Sequence, residues 1–159
     1  MFRKGFDSPN HHEYATAPDP FPAVPHPDLQ GVKILVADDE RDARQMITMA
    51  LESCGAAVTG AYSADEAASQ CFRHKFDVIL TDLAMPGGDG ISLIKRLRIR
   101  GDRTPVIALS GMRGDNVEQA VREAGFFQHL DKPIEVSFLT SAVADAVWTT
   151  REAKSRKQG

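Results

Sequence analysis

Five polar side chains lie at positions where they could form one reactive site, namely Asp38, Asp39, Asp82, Ser110 and Lys132. Each follows a short, mostly apolar run of the kind that forms a strand buried on both faces. The carboxyl ends of parallel strands meet at one edge of a sheet, and ligands bind beyond that edge. Three carboxylates, one hydroxyl and one ammonium group are therefore expected to converge there from distant parts of the chain.

The three carboxylates would repel one another, and a hard divalent cation would relieve that repulsion. Oxygen ligands without histidine or cysteine suit Mg²⁺ better than Zn²⁺. A magnesium site with open positions attracts phosphate oxygens. A carboxylate beside it can then attack phosphorus, while the cation and Lys132 neutralise the phosphoryl oxygens. Ser110 is short enough to donate a hydrogen bond to the transferred group, so the set predicts aspartyl-phosphate chemistry.

Each of these residues also has an ordinary structural explanation. Asp38 and Asp39 could cap a helix, because acidic residues favour helix N-termini. Asp82 could lie in a turn, Ser110 could be a polar strand end, and Lys132 could be a solvated lysine. An adjacent pair of aspartates after a buried strand is not needed for capping, and the complete set favours the metal site.

The elements that must position these residues alternate between strand and helix. Apolar runs predict five strands, over residues 32–37, 56–59, 76–81, 105–109 and 126–130. Helical spacing predicts five helices, over about residues 40–54, 63–74, 90–100, 115–124 and 135–148. Five strand–helix units at this spacing predict an α/β fold with a parallel sheet, helices on both faces and right-handed crossovers.

Local signals mark several helix ends. Ser63 and Glu66 have the spacing of a capping box, and Asp115 is placed to cap the fourth helix. Gly55 and Gly125 are placed to end helices in the left-handed conformation. In the last helix, Phe138 begins a run of apolar residues at helical spacing that predicts its buried face.

Composition limits the possible classes of protein. A length of 159 residues, with 42% hydrophobic and 26% charged residues, favours one compact globular domain. A net charge of −3 gives no global basic surface for nucleic acid. No run of about eighteen apolar residues predicts a membrane span, and the start lacks the apolar stretch of a secretory signal. Cys54 and Cys71 show no paired spacing, which favours a reduced, cytoplasmic protein with inert thiols.

The ends of the chain differ from its body. Six of the nine prolines lie in the first thirty residues, so 1–30 is predicted to be a disordered arm outside a domain at 31–150. The alternative is that this arm contains a Pro-rich motif that binds a partner. Residues 151–159 form a short basic tail of net charge +3. This tail could touch nucleic acid or anionic lipid, although a frayed, solvated helix end is the favoured interpretation.

The ordered set Asp38-Asp39, Asp82, Ser110 and Lys132-Pro133 resembles the receiver domain of two-component response regulators over about residues 31–150. The segment that runs from Asp82 through Met85-Pro86 to Gly90 is similar to that family's phosphoacceptor loop. The resemblance implies a flavodoxin-like, doubly wound sheet of order 2-1-3-4-5. It also implies Mg²⁺-dependent transfer of a phosphoryl group to Asp82 from a histidine kinase or a histidine phosphotransfer protein.

The resemblance further implies a role for each matching residue. Asp39 and Asp82 would bind the metal directly, Asp38 would act through water, and the backbone carbonyl of Ala84 would be a further ligand. Ser110 would be the switch hydroxyl. Lys132 would form an ion pair with the phosphoryl group, and its peptide bond with Pro133 is expected to be cis.

Four positions that flank the matching residues bear on how this chain would work as a receiver. His129 stands three residues before Lys132, where many receivers carry a tyrosine or phenylalanine that moves on activation. Its imidazole could act as that switch, or it could be a half-exposed structural histidine. Ala84 and Met112 lie where side chains tune hydrolysis of the aspartyl phosphate, and neither can orient an attacking water, which predicts a persistent phosphorylated state. Gly111 leaves room for a phosphodonor.

Only about ten residues follow the last predicted helix, which predicts a stand-alone receiver. The resemblance implies a phosphoacceptor switch and not an enzyme. It would act as a switch or phosphorelay intermediate whose target binds the face formed by the fourth helix, fifth strand and fifth helix, without a nucleic-acid-binding domain. One alternative is a phosphatase of the haloacid dehalogenase type, which would need an acid where Ala84 stands. The other is a degenerate receiver that binds partners without phosphorylation, against which the intact acidic pocket argues.

Overall fold

Five strands and five helices alternate along the computed structural model, which describes residues 26–85, 88–112 and 114–158. The strands are β1 (Lys33–Ala37), β2 (Ala57–Ala61), β3 (Val78–Asp82), β4 (Val106–Ser110) and β5 (Gln128–Asp131). The helices are α1 (Arg41–Ser53), α2 (Ala64–Arg73), α3 (Gly90–Ile99), α4 (Asp115–Ala124) and α5 (Val136–Lys157). All strand pairs are parallel and their order is β2-β1-β3-β4-β5, which confirms the flavodoxin-like sheet.

Alternating side chains of the central strands build a core on each face of the sheet. Ile34 and Val36 of β1 point into the cluster that contains residues of α1 and α5. Leu35 and Ala37 point into the opposite cluster, formed with α2 and α3. Because both faces are covered, the central strands are continuous apolar runs rather than alternating ones. Their polar residues are therefore confined to the strand ends.

Most of the sequence signals for helix ends are confirmed. The Ser63 hydroxyl accepts a hydrogen bond from the Glu66 amide, and the Glu66 carboxylate accepts one from the Tyr62 amide. Gly55 and Gly125 have φ values of 96° and 87° after α1 and α4, in the region that favours glycine. The prediction for Asp115 is wrong, because Gly114 is the N-cap of α4 and Asp115 is its first residue.

Several boundaries differ from the predicted ones for local reasons. Both β3 and β4 run one residue further than predicted, so Asp82 and Ser110 are their final residues. Strand β5 starts two residues later than predicted, because the Phe126 amide donates to the Val121 carbonyl and closes α4. At the start of the fold, Leu29 is 1% exposed and its amide donates to the Cys54 carbonyl, so the packed domain begins before residue 31.

Helix α5 departs most from the prediction, because it continues through Lys157 instead of ending near Trp148. Residues 151–157, predicted as part of a tail, are thus helical. Phe138, predicted to be buried, is 65% exposed near the start of the same helix. The predicted arm lies outside the described residues as far as residue 25.

Two further predictions concern the membrane and the thiols. Across the described ranges, no helix has both the length and the apolar character needed to cross a bilayer. Both cysteines are free, and Cys54 is buried. Burial, aided by the charge of Asp102, raises the pKa of the Cys71 thiol to about 12. A thiol with that pKa is a poor nucleophile, which agrees with the expectation of inert cysteines.

Candidate functional site

The carboxyl edge of the sheet brings together the three aspartates singled out from the sequence. Asp38 follows β1 directly and is fully buried, Asp82 ends β3 and is 8% exposed, and Asp39 is exposed. Each offers a carboxylate oxygen, and these oxygens all lie within 4.8 Å of one another. Pairing between β1 and β3 produces this convergence, since Ala37 lies beside Thr81 in the register.

Among the described residues, Lys132 is the one cation that forms ion pairs with these carboxylates. Its Nζ lies 2.8 Å from Asp82 Oδ2 and 3.0 Å from Asp38 Oδ2. Burial on its own would lower the pKa of Lys132, but the hydrogen bonds and charges of Asp82 and Asp38 outweigh it and raise that pKa. The Lys132–Pro133 peptide bond is cis, as expected.

Backbone groups fix the remaining carboxylate oxygens. The Glu40 amide donates to Asp38 Oδ1 at 2.9 Å, and the Ala84 amide donates to Asp82 Oδ1 at 3.0 Å. The side chain of Arg44, one turn into α1, donates to the Asp38 carbonyl at 2.7 Å. Both buried carboxylates are thus held in place by hydrogen bonds to each oxygen, with one oxygen of each facing Lys132.

Ser110 is 1% exposed at the end of β4, the strand next to β3. Its Oγ accepts a hydrogen bond from the Met112 amide at 2.9 Å. Within the described residues, no hydrogen bond joins this hydroxyl to Asp82 or Lys132. Ser110 is therefore at the expected edge of the sheet, with its hydroxyl engaged by the loop that follows it.

The flanking positions leave the pocket open on one side. Ala84 is exposed and Met112 is 50% exposed, and neither side chain carries a polar group. A Cβ placed on Gly111 would meet no atom of the described residues within 4 Å, so these residues leave free space at this position. Pro86, which forms part of the resemblance to a phosphoacceptor loop, lies outside the described residues.

His129 lies in β5, which is separated from β3 by β4. Its side chain is 13% exposed. Its Nε2 is buried and has no hydrogen-bond partner among the described residues. The nearest carboxylate oxygen is Asp131 Oδ1 at 3.8 Å, which is beyond hydrogen-bond distance. The imidazole is thus neither freely solvated nor anchored, and both explanations offered for it stay open.

Two further residues support the site. The sequence singled out Gly90 only as part of the resemblance to a phosphoacceptor loop, and it did not single out Arg44. A Cβ on Gly90 would lie 2.7 Å from the carbonyl oxygen of Asp82 and 3.0 Å from Thr81 Cγ2, so only glycine lets α3 begin this close to β3. Arg44 was missed because its contact is to a backbone carbonyl, which no side-chain pattern reveals.

The residues of the pocket fit a hard divalent cation. Three carboxylates face one ammonium group, which leaves a net formal charge of −2 in a largely buried site. The available donors are oxygens, the ligands that Mg²⁺ prefers. A bound cation would balance the charge that Lys132 leaves uncompensated.

Comparison with known proteins agrees with this geometry. Residues 34–144 match the sequence profile described as the response regulator receiver domain. An uncharacterised 14.6 kDa protein of Leptolyngbya boryana is 38% identical over 109 residues, which are 67% of this chain and 83% of that protein. The response regulator protein PilR of Pseudomonas aeruginosa is 33% identical over 116 residues, which are 72% of this chain but only 26% of PilR.

Solved structures show the same architecture. The receiver domain of the Francisella response regulator 1452 superposes with a TM-score of 0.72 at 34% identity, over 75% of this chain and 98% of that domain. The matched residues 34–144 include Asp38, Asp39, Asp82, Ser110 and Lys132. Proteins of this group bind Mg²⁺ in an acidic pocket and serve as phosphoacceptor switches.

Proposed function

This chain belongs to the response regulator receiver domain family, and from that premise we propose that Asp82 accepts a phosphoryl group from a histidine kinase or a histidine phosphotransfer protein. The observation that carries the proposal is the 2.8 Å contact between Lys132 Nζ and Asp82 Oδ2 beside two more carboxylates. A lone buried aspartate could be structural. An aspartate with an ammonium group and further carboxylates around it, at an open edge of the sheet, can react with phosphorus.

In the proposed step, a carboxylate oxygen of Asp82 forms a bond to phosphorus while the phosphorus–nitrogen bond of the donor imidazole breaks. The bonding electron pair stays on the imidazole nitrogen, so charge and atoms balance. Lys132 is placed to contact phosphoryl oxygens, as its Nζ already reaches an Asp82 oxygen. The open space at Gly111 and the small side chain of Ala84 give the donor access.

We assign the metal site to Asp39 and Asp82 as direct ligands, Asp38 through water and the Ala84 carbonyl. Bound Mg²⁺ would supply positive charge that neutralises phosphoryl oxygens during transfer. This chain's own groups hold the site ready for it, since Glu40 and Ala84 amides fix one oxygen of Asp38 and of Asp82.

Phosphorylation would act as a switch because the new phosphoryl group attracts groups that are engaged elsewhere in this structure. The Ser110 hydroxyl would have to leave the Met112 amide, and the loop before α4 would move with it. We propose that this movement alters the face formed by α4, β5 and α5, of which His129 in β5 is part, and that a downstream protein binds there. A cytoplasmic location follows from the proposed kinase partner.

The test is incubation of the full chain with acetyl phosphate and Mg²⁺, followed by intact-mass measurement. Wild type is expected to gain one phosphoryl group, and Asp82→Asn to gain none. A variant that lacks residues 1–25 should react as wild type does, because the proposed site lies wholly within the packed domain. No gain in wild type, even with a cognate kinase, would leave a degenerate receiver as the remaining interpretation.

A further inference from the structure

A groove of about 780 Å³ lies at the amino edge of the sheet, at the opposite end from the carboxylate pocket. Lys33 at the start of β1 and Pro105 before β4 form its floor. The ends of α2 and α3 and one face of α5 form its walls. The groove shares no residue with the proposed phosphorylation site.

Positive charge dominates the lining of this groove. Seven lysine and arginine side chains line it against two acids, Asp77 and Asp102, so the lining has a net formal charge of +5 in a chain of net charge −3. Both acids are already engaged, since Asp77 accepts from the Lys33 amide and Asp102 from the amide and hydroxyl of Thr104. None of the seven cations makes a salt bridge with a described residue.

Helix α5 positions part of the basic C-terminal segment along the groove. Val147, Thr150, Arg151 and Lys154 follow one helical face, and all four line the groove. Without the extension of α5 beyond Trp148, the two cations of this face would not reach the groove. The fold thus places Arg151 and Lys154 in the same groove as cations from distant turns, among them Arg103.

Helix ends explain only part of this charge. Arginine or lysine at the end of a helix interacts favourably with its dipole. This accounts for Arg73 and Lys154 in last turns and for Arg100 as the C-cap of α3. Lys33 and Arg103 belong to no helix, and Arg151 lies before the last turn of α5. The groove therefore gathers more cations than helix stability requires.

We propose that this groove binds the sugar–phosphate backbone of a single-stranded nucleic acid. Its cations outnumber its acids by five, so a chain with one negative charge per nucleotide is complementary to it. Four of the seven cations are arginines, whose planar guanidinium groups suit bidentate contacts with phosphate. The inference is independent of phosphorylation at Asp82.

The aromatic side chains of the groove favour a single strand over other anions. Phe72 is 41% exposed, and the guanidinium carbon of Arg100 lies 3.7 Å from the centre of its ring. Stacked aromatic and guanidinium groups of this kind accept unpaired bases, which a duplex and an acidic peptide do not offer. The recessed shape disfavours a membrane, because lipid headgroups form a flat surface.

The test is fluorescence anisotropy of a labelled single-stranded DNA of about twelve nucleotides with the full chain. If about four phosphates are contacted, affinity should fall about 50-fold between about 50 and about 200 mM salt. The variant with Arg103→Glu and Lys154→Glu should bind at least about 10-fold more weakly, because two contacts become repulsive. Both side chains are exposed and make no side-chain hydrogen bond with a described residue, so the fold should survive, as circular dichroism can check.

The matched control is Lys95→Glu with Arg122→Glu, which changes net charge equally at exposed positions outside the groove. This control should bind as wild type does, and so should Asp82→Asn. Equal loss in both double variants would show a mere effect of net charge and overturn the proposal. Absence of binding at the lower salt would also overturn it, as would equal or tighter binding to polyglutamate, duplex DNA or phosphatidylserine vesicles.

Discussion

Lys132 balances part of the negative charge that the sheet collects at its carboxyl edge. It contacts one oxygen of Asp38 and one of Asp82, and these two carboxylates are largely withdrawn from water. Removing the ammonium group would leave two buried carboxylates facing each other without a countercharge. The same ammonium group is the proposed partner of the phosphoryl oxygens, so the stability of the resting pocket and the proposed reaction depend on one residue.

We expect Lys132→Met to lower the free energy of unfolding by about 2 kcal/mol at neutral pH, because charge-assisted hydrogen bonds are lost. The pKa of Lys132 is raised above its ordinary value of 10.5, so its stabilising effect is complete below that value. The effect disappears as pH rises through the higher pKa of the folded protein. Urea titrations should therefore show a difference between wild type and variant at pH 8 that shrinks above pH about 10.5. A difference that does not depend on pH would contradict this.

Ala84 allows a second prediction at the scale of one residue. Its methyl group cannot orient a water molecule toward an aspartyl phosphate, although its amide lies at the site and donates to Asp82. We expect Ala84→Asn to shorten the lifetime of the phosphorylated protein several-fold, measured by intact mass after removal of the phosphodonor. Ala84→Val, which adds bulk without a polar group, is the control and should not accelerate phosphate loss. If the phosphorylated Ala84→Asn variant and the phosphorylated wild type had equal lifetimes, this explanation of a persistent phosphorylated state would be ruled out.

At the scale of the elements, the contact between β3 and the start of α3 positions Asp82, the proposed phosphoacceptor. Gly90 lies so close to the Asp82 carbonyl that a Cβ would have to displace the backbone. We expect Gly90→Ala to cost about 1–3 kcal/mol of stability and to slow phosphorylation of Asp82. Thermal unfolding and the acetyl phosphate reaction measure the two effects. Gly111→Ala is the control for stability, because its Cβ would enter open space.

The elements also show what the sequence can predict and what it cannot. The parallel sheet and the edge at which Asp38, Asp82 and Ser110 meet follow from buried apolar runs and the rules of parallel sheets. The strand order comes only from the resemblance to receiver domains. The end of α5 does not follow from the sequence, because residues after Trp148 are polar and carry no periodic signal of burial. The exposure of Phe138 depends on which neighbours the helix meets, and helical spacing does not contain that information. Contacts to backbone, such as that of Arg44, are likewise invisible in residue types.

Across the whole molecule, opposite charges collect at opposite edges of the sheet. The carboxyl edge holds three aspartates and one lysine, and the amino edge holds the basic groove. A cation and a polyanion would therefore be attracted to different ends of the domain, so that neither competes directly with the other. The overall net charge of −3 conceals this separation because it sums charges of both signs over the whole chain.

Magnesium should stabilise the folded domain, because the proposed site exists only in the assembled pocket and not in the unfolded chain. At ten times its dissociation constant, a ligand contributes about 1.4 kcal/mol, which corresponds to a rise in Tm of about 4 °C for a domain of this size. We expect calorimetry to show this rise for wild type and little of it for Asp39→Asn. Asp145→Asn removes an exposed carboxylate on α5 and should keep the full rise. An equal rise in all three proteins would point to binding elsewhere.

The most direct test locates the phosphoryl group itself. Borohydride reduction converts an aspartyl phosphate to homoserine, and peptide mass mapping then identifies the residue that carried it. After incubation with acetyl phosphate and Mg²⁺, we expect homoserine at position 82 and at no other aspartate. Homoserine at position 38 or 39, or at none after a confirmed gain in mass, would contradict the assignment of Asp82 as the phosphoacceptor.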